Sequence, residues 1–219
     1  FIKFFTYSFI IFFVIWAFLA LVLTQFGMET KRFNPLIVEQ VKKHNEDLNL
    51  EIKKVKVYLS IGNLTNPKLR ISTKDLALTL DNNKMALKSV DAKIDILSYF
   101  KDKFVIEELE FKSKDNKIKN LISFAALKKP SLIIYNIFIK KGYANAHIFL
   151  KFNKKGKVTN YKLTGEVKNA ELKYDKKYYF KDINFDFTNN REGTSINNAK
   201  LYFKKIKFLS NEIIIPNLK

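Results

Sequence analysis

The chain has 219 residues and no cysteine, and its 40 Lys and Arg against 21 Asp and Glu give a formal charge of +19. The missing cysteines exclude disulfides and thiolate chemistry, and with only His44 and His147 a multi-histidine metal site would need carboxylate help. Only Arg32, Arg70 and Arg191 are arginine and the lysines are spread along the chain, so base reading and phosphate clamping by guanidinium forks are not expected, nor is a nucleic-acid partner.

The mixture of Lys, Asn, Ile and Phe reads as the codon bias of an AT-rich genome. The chain opens at Phe1 without a methionine and is expected to be a piece of a longer protein. Phe4 to Leu23 is a run of 20 residues without a charge. At about 1.5 Å per residue it matches a bilayer core of roughly 30 Å. A cleavable signal peptide is the rival reading. The apolar run is longer than such a peptide needs, and LVLTQFGMET offers no small-x-small cleavage site. We therefore expect a retained anchor over residues 1–28, with Phe4, Phe12, Trp16 and Leu23 in the membrane. Lys3, Lys31 and Arg32 leave its orientation open.

Residues 29–49 form the next segment. Asn34 suits an N-cap, Pro35 a first helical turn, and Ile37, Val38 and Val41 a short apolar stripe. A helix is expected from about Pro35 to Asn45, with His44 solvated at its end.

From residue 50 to 219 the period changes to two. In LEIKKVKVYLSIG, Ile52 is followed by Val55, Val57, Leu59 and Ile61, so a turn or bulge belongs at Lys53-Lys54. GNLTNP is a turn. PKLRISTKDLALTL and MALKSVDAKIDIL, joined by DNNK, form a hairpin. LSYFKDK is a helical turn, and FVIEELEFKS is a strand with Val105, Leu109 and Phe111 on one side. KNLISFAALKKPS reads as a short helix or lid ended by Pro130. SLIIYNIFIKKG is apolar on both faces and is expected to be buried. YANAHIFLKF resumes alternation and turns His147 to the polar side, where no partner is evident. Short strands complete the chain, with Ile183, Phe185 and Phe187 on one face and Leu201 and Phe203 on another. The expected fold is mainly β. About nine or ten antiparallel strands follow the anchor helix, because short loops cannot carry parallel crossovers.

No G-x-S-x-G, phosphate loop, H-E-x-x-H or helical carboxylate pair occurs. Glu108 and Glu110 share a strand face amid lysines, as exposed carboxylates do. We expect no catalytic residue, metal or cofactor.

The order of parts resembles the AsmA-like family, including its YhdP and TamB groups. Pro67-Lys68-Leu69, Asp75-Leu76, Val90 to Ile96, Leu97 to Phe100 and Ile106 to Phe111 fit that family's opening strands and helical turn. KFNKKGKVTNYKLTGEVKNAELKY resembles its repeating strand units. The resemblance implies an elongated, strongly twisted sheet folded into an open apolar groove. It also implies an inner-membrane anchor with the β domain in the periplasm, and phospholipids as cargo. The groove would include Leu76, Leu78, Leu80, Val90, Ala92, Ile94, Ile96, Leu109, Phe111, Ile183, Phe185 and Phe187. The alternative is a non-enzymatic assembly module whose partners are outer-membrane or periplasmic proteins.

Overall fold

The structure is a computed structural model that describes residues 2–31, 34–35, 38–39, 42, 46–60, 68–95, 106–127, 129–175 and 177–217. Helix α1 runs Ile2–Gln25, 24 residues. The side chains of residues 2–10 and of Phe13 lie outside the description. Among the described residues no helix is long and apolar enough to cross a membrane. The described positions Asn34, Pro35, Val38, Glu39 and Lys42 are helical where the second helix is expected. Ile96, Val105 and the LSYFKDK turn fall outside the described residues.

The rest is one open antiparallel sheet of twelve strands. They are β1 (Met28–Thr30), β2 (Leu48–Glu51), β3 (Lys54–Ser60), β4 (Lys68–Leu80), β5 (Asn83–Asp95), β6 (Ile106–Ser113), β7 (Asn116–Lys117), β8 (Ile139–Phe152), β9 (Val158–Lys173), β10 (Tyr179–Asn189), β11 (Gly193–Phe203) and β12 (Ile206–Pro216). From β3 onward, each long strand lies beside its neighbour in sequence, and β1 and β12 are the outer strands. Tight turns make this possible. Leu80 pairs with Asn83 across Asp81-Asn82, and Asp81 takes a positive φ of 51°, which a short Asx side chain tolerates. Asn153 closes the β8–β9 turn, its side chain accepting from the amides of Lys155 and Lys157.

The sheet carries a crease. Apolar residues face one side at every second position, then skip one residue, at one level in β2–β3, β4 and β5 and on neighbouring rows in β9, β10 and β11. The steps are Ile52 to Val55, Thr73 to Leu76, Leu87 to Val90, Val167 to Ala170, Phe180 to Ile183 and Ile196 to Ala199. Asp75, Asn169, Asp182 and Asn198 sit in four of these gaps at φ between 49° and 55°. A bulge of this kind absorbs one residue and bends its strand. β4 and β5 both insert their extra residue at one level, so their register is the same above and below it, from Lys74↔Ser89 to Leu76↔Leu87. The break between β2 and β3 is that same bulge. Both segments pair with β4, on either side of Asp75.

Polar side chains replace the ladder bonds lost at the crease. The Asn116 carboxamide accepts from the Ala86 amide at 2.7 Å and donates to the carbonyls of Ala86 (3.0 Å) and Lys114 (2.7 Å). Ser113 Oγ accepts from the Ala146 amide, and Asn184 Oδ1 from the Asn169 amide.

Between β7 and β8 the chain forms α2 (Ile118–Ala126), a 3-10 turn (Pro130–Ile134) and α3 (Tyr135–Phe138). This corrects the expectation that SLIIYNIFIKKG is buried. Pro130 opens the 3-10 turn, β8 starts only at Ile139, and Ile133, Ile134 and Ile137 are exposed. An unbroken apolar run suits a buried strand and a one-sided helical turn alike; the period alone does not separate them.

Candidate functional site: one apolar face

Register places the expected residues together. Val90, Phe111 and Ile148 form one row across β5, β6 and β8; Ala92, Leu109 and Leu150 form the next. Beyond the crease Leu50, Leu78 and Met85 align, and Leu76 aligns with Leu87. Further along, Ala146, Gly165, Phe187, Ile196 and Ile213 run as one row over β8 to β12. Because directly paired residues share a face, the eleven described candidates all lie on one side of one sheet. Ile96 lies outside the described residues.

Their exposure divides that face in two. Over β2 to β5 it is a closed core. Leu50, Leu76 and Leu87 form one buried cluster, with Val38 of the second helix packed on it; Val55, Ile71 and Ile94 form another, and Ile52 touches both. Ile94 is 2% exposed, and Leu76 and Leu80 are also buried. Leu78, Val90, Ala92, Leu109 and Phe111 are half-buried. From β9 onward only Ala170 and Ile183 of this face are buried, whereas Phe185, Phe187, Leu201 and Phe203 are half-buried. Aromatic rings line this part. Phe180 stacks on Phe203 at 5.1 Å, Tyr178 stacks on the same ring, and Phe185 lies 6.3 Å from Phe187.

Gly165 has a specific part here. A Cβ on it would sit 2.5 Å from Cζ of Phe187 and 2.3 Å from the Asn145 carbonyl oxygen. The missing side chain lets the Phe187 ring lie across β9. Sequence reasoning missed Gly165, Val167 and Phe180. Each follows from the alternation once the skipped residue is counted.

The opposite face is polar and ion-paired. Arg70 donates to Asp91 at 3.0 Å, Lys93 lies 3.6 Å from Glu108, and Lys68 pairs with Glu107. His147 does have a partner: its Nε2 lies 2.6 Å from Glu110 Oε1, and Lys112 Nζ lies 2.9 Å from the same oxygen. The Lys112 ammonium, and after it His147, hold the Glu110 carboxyl below the usual carboxylate range. Glu108 and Glu110 are thus each held by a cation. Among the described residues no group of His, Asp and Glu could hold a metal ion.

Two concavities, of about 450 and 370 Å³, lie away from the apolar candidates. One is lined by Thr24, Tyr58, Leu59, Ser60 and Arg70, the other by Glu29, Ser72, Asp75 and four lysines. Of the anchor residues, Phe12 and Trp16 are exposed on α1, 6.4 Å apart, and Leu23 is half-buried. The side chain of Phe4 lies outside the description. Comparison with family models, curated proteins and solved structures finds no match.

Chemically, this arrangement offers an apolar surface. The main path of the sheet is ten strands wide. At about 4.8 Å per strand the apolar face extends on the order of 40 Å. Helical residues cover its first part; its second part carries half-buried aromatic and branched side chains.

Proposed function

We propose that the chain is an inner-membrane-anchored, periplasmic protein of AsmA-like type. Its apolar face shields phospholipid acyl chains in a groove as they move between inner and outer membrane. The observation that carries this reading is the continuity of the face. The skip recurs in β2–β3, β4, β5, β9, β10 and β11, and each time it leaves the apolar residues on the same side. A dry two-layer core needs a second layer; α2 and α3 reach the near end of β9 at Ala170 and Tyr174, and over β10 to β12 no described element supplies one. Removing a lipid chain from water is favourable by about 0.8 kcal/mol per CH₂, so transfer along such a face needs no catalytic group. The uncharged run from Phe4 to Leu23 and the exposed apolar side chains of α1 support the anchor.

Photo-crosslinking from single positions of the intact chain in cells tests this reading. Phe185 and Phe187 share one face of β10, and Asp186 and Thr188 the other. We expect a photoreactive residue to capture phospholipid from the first two positions and not from the second two. Equal capture from both faces, or capture from neither, removes the groove. A Leu78→Glu/Ile94→Glu pair is unsuited to the purpose. Ile94 is part of a buried cluster, so that variant is expected to unfold.

One observation favours a second reading, an assembly module. β12 pairs with β11 alone, and Ile206, Phe208, Leu209, Ile213, Ile214 and Ile215 are exposed on it. An unpaired strand edge can accept another polypeptide by strand addition. Crosslinks from β12 to protein, with none from Phe185 or Phe187 to lipid, would favour it.

A further inference from the structure

From β7 to the start of β8, residues 116–142, the chain includes six lysines and no acidic residue in 27 positions. The segment holds to the sheet by one side. Asn120 donates to the Lys84 carbonyl at 2.8 Å, the Ile118 side chain abuts Gly142 and Ala170, and Phe138 stacks on Tyr174 at 5.2 Å. Its other side is apolar and open. Leu127, Ile133, Ile134 and Tyr135 are exposed, and Ile137 is 66% exposed. Lys117, Lys119, Lys129, Lys140 and Lys141 surround them, all exposed, and among the described residues only Lys141 has an acidic partner, Glu171.

From this we infer that the α2–α3 segment is a docking surface for an anionic lipid bilayer. Ile133, Ile134 and Ile137 enter the headgroup boundary and the lysines contact the negative headgroups. The two features complement each other. Exposed branched residues in a cluster need an apolar environment, and lysines without acids need negative charge. A bilayer bearing anionic lipid supplies both in one surface, with the apolar part shallow and the charge at headgroup level. A protein partner would have to match a nine-residue helix, a 3-10 turn and a four-residue helix at once; a fluid surface needs no such match.

The segment does not adjoin the end of α1. α1 ends beside Tyr58, which pairs with Arg70, whereas α2 is tied to Lys84, which pairs with Thr79. At about 3.4 Å per residue, the stretch of β4 from Arg70 to Thr79 sets these two ends roughly 30 Å apart. The segment is therefore set well apart from the end of α1 along the sheet. This goes beyond the groove reading and does not require it.

The test uses the full chain in nanodiscs of neutral phosphatidylcholine. The absence of cysteine allows a single Ile137→Cys label with a polarity-sensitive dye, and Lys162→Cys, on the outer part of β9, as the control. Vesicles of phosphatidylcholine with about 30% phosphatidylglycerol, which carry the negative surface potential of an anionic leaflet, are then added. We expect a blue shift at position 137 and none at 162. It should be absent with pure phosphatidylcholine vesicles and weakened at least about tenfold in apparent affinity by 0.5 M salt. Ile133→Asp/Ile134→Asp changes only exposed positions, so it should keep the wild-type circular dichroism and lose vesicle binding. No shift with anionic vesicles overturns the proposal. So does a shift that depends on protein concentration without vesicles, which would assign the surface to a second copy. Co-elution of chain and disc reads the α1 anchor separately, so its failure is distinguishable.

Discussion

Asn116 shows how much one side chain can do inside this sheet. It is 5% exposed, and its carboxamide takes the place of a paired peptide at Ala86. Asn116→Ala would take the side-chain partner from the Ala86 amide and the Lys114 carbonyl, each costing about 1–3 kcal/mol when buried, while the Ala86 carbonyl keeps the Lys114 amide. We expect a loss of about 2–4 kcal/mol in chemical denaturation, with Asn116→Asp recovering little because it cannot donate to the carbonyls. Thr73 is the opposite case. Its hydroxyl is buried between Val55 and Val90 with no hydrogen-bond partner. Thr73→Val removes that unmet group at nearly constant shape and is expected to raise stability by about 1 kcal/mol. Asn198 sits at φ 55° and donates to Asp186 at 2.9 Å. A β-branched residue there costs about 1–2 kcal/mol in backbone strain, so Asn198→Val should melt earlier than Asn198→Gly.

Within a strand, the skipped residue sets which side is apolar. Deleting Asp75 alone would keep β4 in register with β3 but leave it one residue out of step with both β2 and β5 beyond the crease. We expect that variant to lose its cooperative thermal transition, and a joint deletion of Asp75 and Lys88 to restore β4–β5 register while still mismatching β2. The alternation was legible in the sequence, and so was the first skip, at Lys53-Lys54. The later skips carry the same sign, an apolar residue three places on instead of two, with Asn or Asp in every gap but that of Leu87 to Val90. They were passed over because each strand, read alone, tolerates either side as its inner one. Only pairing shows that the two halves share a face. β1 and β7, three and two residues long, lie below any periodic signal. The exposed helical turns from Pro130 to Phe138 were hidden for a different reason. SLIIYNIF is apolar throughout, and what decides its form is the sheet it leans on.

Across the molecule, the polar face is an array of paired charges, and this sets how stability follows pH. Lys54 lowers the Glu29 carboxyl, Lys114 that of Asp75 and Lys112 that of Glu110. The Asn145 amide lowers Asp115 and the Tyr179 hydroxyl lowers Glu171. A carboxyl whose affinity for protons is lowered by folding stabilises the fold above its unfolded pKa and loses that contribution as pH falls through the folded one. Stability should therefore hold at neutral pH and fall steadily below the ordinary carboxylate range. Glu110→Gln should flatten part of that fall in urea melts repeated at each pH. On the alkaline side Lys141 and Tyr179 both titrate later than usual because of Glu171, so their contribution is lost only as pH rises through those raised values.

The order of strands has a consequence for how the molecule comes into being. From β3 to β12 each long strand docks on the one made just before it, through a short connection or the α2–α3 segment. Few contacts wait for distant sequence, and such a chain closes small loops in succession instead of one large loop. It can fold from its first strand while the last is still being synthesised or threaded through a pore. At every moment of that growth the newest strand is the exposed rim. An arrest placed after β9 should already yield a protease-resistant core over β2 to β5, because the buried clusters there draw on nothing that comes later.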